Sequence, residues 1–91
     1  EVEAVLLSHP DVLEAAVLGR AHPAWGQVVV AILALRAGAS FSPPALEEFC
    51  RARLAPFKVP RELHRVAELP RTAAGKVDRR SLAAAFVGAL C

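Results

Sequence analysis

Between Leu69 and Arg80 the chain reads Leu-Pro-Arg-Thr-Ala-Ala-Gly-Lys-Val-Asp-Arg-Arg, which places Arg71, Lys76, Arg79 and Arg80 within ten residues. Pro70 and Gly75 punctuate this stretch as a loop. Gly75 can take a positive φ without steric cost and so aim Lys76 outward. An ammonium on a loop tip is a compact point charge for a phosphate or carboxylate that arrives from outside. An ordinary solvated lysine would look the same, and the loop by itself leaves both readings open. Arg79 and Arg80 fall in the first turn of the helix expected next, where positive charge is unfavourable by about 0.3–1 kcal/mol. A sequence chosen for helix stability alone would put acids there.

Other chemistries lack their residues. A phosphate-cradling Walker loop needs glycine where Pro70 stands and serine or threonine where Val77 stands. His9, His22 and His64 share no ligand spacing, so no metal site is expected. Ser8, Ser40, Ser42 and Ser81 have no evident His/Asp partners, and no G-x-S-x-G is present. One Trp and no Tyr make a poor stacking surface, so nucleic acid is not an expected partner. Cys50 and Cys91 form no C-x-x-C pair, which suits a reducing, cytoplasmic setting.

Charge is divided along the chain. Residues 1–50 carry two Arg and six acids, and residues 51–91 carry nine Lys+Arg and three acids, so net −4 is followed by net +6. A basic half suits an anionic partner, and equally a solvated face. The 91 residues allow one domain and one small core. Apolar residues at 55% exclude disorder. The longest uncharged apolar run, Val28 to Leu35, is eight residues. About 18 would be needed to span a membrane. No secretory signal is expected at the acidic start. Glu1 in first place and the absence of methionine are those of a piece of a longer chain.

The elements that must position the loop follow from periodicity. Val2, Val5 and Leu6 lie at helical spacing, and His9-Pro10 should end that helix. Val12 to Leu18 reads as a strand closed by Gly19, followed by a loop from Arg20 to Gly26. Gln27 to Leu35 is continuously apolar and reads as the central strand, covered on both faces. Ser42 and Pro43 suit the N-cap and first position of a helix, with Glu47 and Glu48 near its positive end. Leu46, Phe49, Cys50 and Leu54 share one face of it. Glu62 to Leu69 is the third strand expected. Asp78 can cap a last helix whose inner face is Leu82, Ala85 and Phe86. The expectation is an α+β domain in the order α-β-β-α-β-α, a three-stranded sheet whose first two strands form a hairpin.

The Leu69–Arg80 segment resembles the C-terminal signature of the adenylate-forming superfamily, which comprises acyl- and aryl-CoA synthetases, adenylation domains of nonribosomal peptide synthetases and firefly luciferase. Glu1-Val2-Glu3, His22-Pro23-Ala24-Trp25-Gly26-Gln27 and Phe57-Lys58-Val59-Pro60 resemble the same family in the same order. The resemblance covers residues 1 to about 86.

It implies that residues 1–91 are the small mobile C-terminal domain, with the N-terminal ATP- and acid-binding domain and the hinge lying outside this chain. ATP and a carboxylic acid would give an acyl-adenylate, which a thiol then attacks. Lys76 matches the family's catalytic lysine, between the attacking carboxylate and the α-phosphate, and Gly75 positions it. Trp25, Phe57 and Lys58 match positions that can lie along the CoA path, and ordinary packing or solvation would also account for them. ATP and CoA are the implied substrates, with Mg2+ held mainly by the N-terminal domain. Val59 departs from aryl-CoA ligases that are basic there, so a phosphate contact is lost. The His22–Gln27 loop is more like CoA ligases, while a domain that loads a phosphopantetheinyl carrier protein is the alternative. A free-standing non-catalytic binding module is the other.

Overall fold

A computed structural model describes residues 1–24 and 26–87. The elements are α1 (Val2–Leu7), β1 (Val12–His22), β2 (Gly26–Leu35), α2 (Pro43–Arg51), a 3-10 turn at Pro56–Lys58, β3 (Glu62–Val66), α3 (Arg79–Leu82) and a π turn at Ala83–Val87. The expected α-β-β-α-β-α order and α+β class are present. β1 and β2 pair antiparallel and β2 and β3 pair parallel, so β2 is central. The parallel pair needs a crossover, and α2 supplies it.

β2 is apolar throughout because both of its faces are covered. Ala31, Leu33 and Leu35 face one way, onto Leu6 of α1 and Leu46 and Cys50 of α2. Val30 and Ile32 face the other way, with Ala16, Leu69 and Leu82. Six of these, Leu6, Val30, Ala31, Ile32, Leu33 and Cys50, are fully buried. Burying one such side chain contributes about 1.5–3 kcal/mol, so the two clusters hold the domain together.

β1 shifts register once. Val12 pairs with Leu35 and Glu14 with Ala34, so Leu13 is the extra residue. A one-residue insertion reverses which face each later side chain meets. Val12 and Ala15 therefore share the α1–α2 face, and Glu14, Ala16 and Leu18 turn to the opposite one.

Several boundaries differ from those read in the sequence. β1 does not close at Gly19, because Gly19, Arg20, Ala21 and His22 continue the ladder opposite Val29, Val28, Gln27 and Gly26. The glycine makes room instead, since a Cβ there would lie 3.0 Å from the side chain of Gln27. β3 stops at Val66 rather than Leu69, and Leu69 is buried beneath the loop it opens. Ser42 is the N-cap of α2 but makes no side-chain cap bond. Glu47 and Glu48 lie beyond the first turn and pair with Arg51 at 2.7 and 3.2 Å. Ala85 is exposed rather than internal. The wider π turn carries Phe86, not Ala85, back over Leu82's cluster.

Candidate functional site

The Lys76 loop is a short hairpin held by three backbone hydrogen bonds. Asp78 N–H donates to the Pro70 carbonyl at 2.8 Å, Thr72 N–H to the Lys76 carbonyl at 2.7 Å and Gly75 N–H to the Thr72 carbonyl at 2.9 Å. Arg71 and Val77 form an antiparallel bridge across it. Gly75 holds φ +87°, and nothing lies within 4 Å of where its Cβ would be. Conformation, not crowding, is what requires glycine there. The loop is anchored from below by Leu69 and Val77, which belong to the Ile32–Leu82 cluster.

Arg71, Asp78 and Arg79 of the segment are anchored, and Lys76 is its free tip. Arg71 donates to Glu14 Oε1 at 2.6 Å and to the Gly75 carbonyl at 3.3 Å. Arg79 donates to the Val17 carbonyl at 2.8 Å and to Glu3 Oε2 at 2.5 Å. Asp78 accepts from Ser81 N–H at 3.1 Å and from the Ser81 hydroxyl at 2.8 Å. The bonds from Ser81, backbone then side chain, hold its carboxyl below the ordinary range. This is the cap expected of Asp78. Lys76 is exposed and makes no side-chain hydrogen bond or ion pair among the described residues.

A second region occupies the other face, at the hairpin end of the sheet. Phe57 is 78% exposed on the 3-10 turn. It lines two adjoining grooves of about 350 and 490 Å³, both also lined by Gln27, Val28 and Val29. Arg61 borders the first and Lys58 the second. Lys58 pairs with the carboxylate of Glu1 at the start of α1. That hydrogen bond and the ammonium's charge hold the Glu1 carboxyl below its ordinary value. Val59, next in sequence, packs in the α1–α2 cluster. Phe57 and Lys58 thus come together; Val59 beside them packs in the Leu33 cluster, whereas Val77 beside Lys76 packs against the Ile32 cluster. Trp25 lies outside the described residues.

Sequence reasoning missed Glu3 and Glu14. The charge split was the available signal. Glu1, Glu3 and Glu14 of the acidic half pair with Lys58, Arg79 and Arg71 of the basic half. Part of the positive charge read as suited to an anionic partner is therefore neutralised within the domain. Among the described residues no three His, Cys, Asp or Glu side chains come together. Cys50 is buried and unpaired, and burial pushes its thiol up. No helix of the described residues is long and apolar enough to cross a membrane.

Known proteins share this sequence and this geometry. A 2-succinylbenzoate–CoA ligase of Geobacillus kaustophilus is 57% identical over 82 residues, 90% of this chain and 17% of that protein. The mitochondrial malonate–CoA ligase ACSF3 of Xenopus laevis is 44% identical over 86 residues, 94% of this chain and 15% of that protein. Among solved structures, the amide bond synthetase McbA from Marinactinospora thermotolerans superposes with a TM-score of 0.89 at 39% identity, over 93% of this chain and 17% of its own. A double mutant of o-succinylbenzoate CoA synthetase from Bacillus subtilis, bound to a product analogue, superposes with a TM-score of 0.82 at 43% identity, over 90% of this chain and 17% of its own. The chain thus spans about one-sixth of the length of these relatives. Residues 1–76 match the family described as the AMP-binding enzyme C-terminal domain, and the chain belongs to that family.

Proposed function

We propose that the complete protein is an AMP-forming acid–thiol ligase in which this domain supplies the adenylation lysine, Lys76. The observation that carries the reading is the hairpin itself. Arg71 of the hairpin and Arg79 of α3 are engaged with β1 and α1, while Lys76 at the tip is exposed and has no side-chain partner among the described residues. Membership in the family and the names of the relatives support it.

The chemistry asks for such a group. A carboxylate must attack the α-phosphate of ATP, and two anions repel. A cation placed between them offsets that repulsion and stabilises the charge that develops as pyrophosphate leaves. Lys76 performs this in the first half-reaction, with Gly75 fixing its exit from the loop. In the second, the CoA thiol attacks the acyl-adenylate and AMP departs. Phe57 and Lys58 then serve the CoA path after the domain turns on its N-terminal partner, and Trp25 is assigned to that path by its match to the family's motif. Mg2+ is assigned mainly to the N-terminal domain, as the resemblance to the family implies. The free, buried Cys50 suits a reducing compartment, and we assign the enzyme to the cytoplasm.

The acceptor thiol is tested by incubating the complete enzyme with ATP and 2-succinylbenzoate or malonate, then offering free CoA or a phosphopantetheinyl carrier protein. Acyl-CoA and AMP are expected. Acyl transfer to the carrier alone contradicts the CoA assignment and favours the carrier-loading alternative.

A further inference from the structure

We propose that Arg71, clamped to Glu14 of β1, is the positioning residue that fixes the approach of Lys76; the inference rests on the assignment of Lys76 given above. The carbonyl that Arg71 Nη1 holds at 3.3 Å is that of Gly75, and it belongs to the peptide bond that leads into Lys76. The same guanidinium reaches Glu14 Oε1 through Nη2 at 2.6 Å. One planar group therefore ties the Gly75–Lys76 peptide to the edge strand of the sheet. A lysine at position 71, with a single point of charge, could not hold both partners in a fixed fork.

The strand is built to meet it. Had β1 alternated regularly from Val12, Glu14 would share Val12's α1–α2 face, away from the loop. The bulge re-aims it toward Arg71. Both side chains are partly exposed, at 46% for Arg71 and 29% for Glu14. Such a pair adds little to global stability, so its consequence is geometric. It also cancels the charge of Arg71, and Lys76 remains the uncompensated cation at the tip.

Without the clamp the hairpin's own backbone bonds persist, but the Gly75–Lys76 peptide is free to rotate about a glycine. Misplacing a reacting group by about 1 Å can cost on the order of 100-fold in rate. Arg71→Gln, Glu14→Gln, the double variant and Lys76→Ala, each in the complete enzyme, separate the possibilities. Adenylate formation at saturating ATP and acid is followed in single turnovers, beside transfer to CoA from preformed acyl-adenylate. Arg71→Gln and Glu14→Gln should each slow adenylate formation about 10- to 100-fold at unchanged KM for ATP, with transfer to CoA at the parent rate. The double variant should be no slower than the slower single one, since both act through one clamp. Additive losses, equal loss in both half-reactions, or an Arg71→Gln rate within about twofold of the parent each overturn the clamp. If Lys76→Ala slows adenylation where Arg71→Gln does not, the clamp alone falls. If Lys76→Ala leaves adenylation intact, the assignment of Lys76 falls with it.

Discussion

Arg79 Nη2 lies 2.5 Å from Glu3 Oε2, and the two side chains close on the same residue of the edge strand. Glu3 accepts from Val17 N–H at 3.1 Å, and Arg79 donates to the Val17 carbonyl at 2.8 Å. The outward backbone groups of Val17, which would otherwise be open to another strand, are thereby satisfied by side chains from α1 and α3. This accounts for a basic residue in the first turn of a helix, where the dipole alone disfavours it.

Glu3→Ala and Arg79→Ala should each destabilise the domain by about 1 kcal/mol, with coupling in the double variant because one contact is lost twice. Urea unfolding measures both. Strictly additive values would show that the two side chains act apart.

Gly75→Ala should cost about 1–2 kcal/mol locally, because an alanine at φ +87° is strained even where its Cβ meets open space. The strain falls on the turn, so hydrogen exchange at residue 75, whose N–H is bonded to Thr72, should quicken while β2 exchanges as before. Unchanged exchange at residue 75 would contradict the reading.

The Asp78 carboxyl is held below its ordinary value by the Ser81 backbone and hydroxyl. Its folded pKa is lower than its unfolded one, so the cap's contribution is complete above about pH 4 and is lost as pH falls through the depressed value. An NMR titration of Asp78 should show the lowered midpoint, and Ser81→Ala should move it upward. A midpoint that ignores Ser81 would remove this account of the cap.

Phe57 is 78% exposed, so Phe57→Ala should change unfolding free energy by less than about 0.5 kcal/mol. If it lines the CoA path, losing about 1.4 kcal/mol of contact raises the KM for CoA roughly tenfold. Adenylate formation should be untouched. Ile32→Ala, in the fully buried centre of β2, should instead cost about 2–5 kcal/mol in stability. Steady-state kinetics beside denaturant melts distinguish the two, and a Phe57→Ala variant that unfolds early would contradict the division.

Much of this was legible in the residues. The eight-residue apolar run announced a strand covered on both sides, and β2 is that strand. Asp78 announced a cap and is one. The extent of β1 was not legible, because Gly19 reads as a breaker in isolation and only its pairing with Val29 shows otherwise. Phe86 turns inward as its spacing suggested, but the exposure of Ala85 was hidden, since a π turn follows no 3.6-residue period. For the site, Gly75 and Lys76 carry their own local signal. Glu14 carries none: its partner is 57 positions away, and a one-residue bulge decides which face it meets.

The central claim is that Lys76 serves the first half-reaction and not the second. In the complete enzyme, Lys76→Ala should slow acyl-adenylate formation about 10²- to 10³-fold, while CoA thioester formation from preformed acyl-adenylate proceeds at the parent rate. Equal loss in both half-reactions would contradict it.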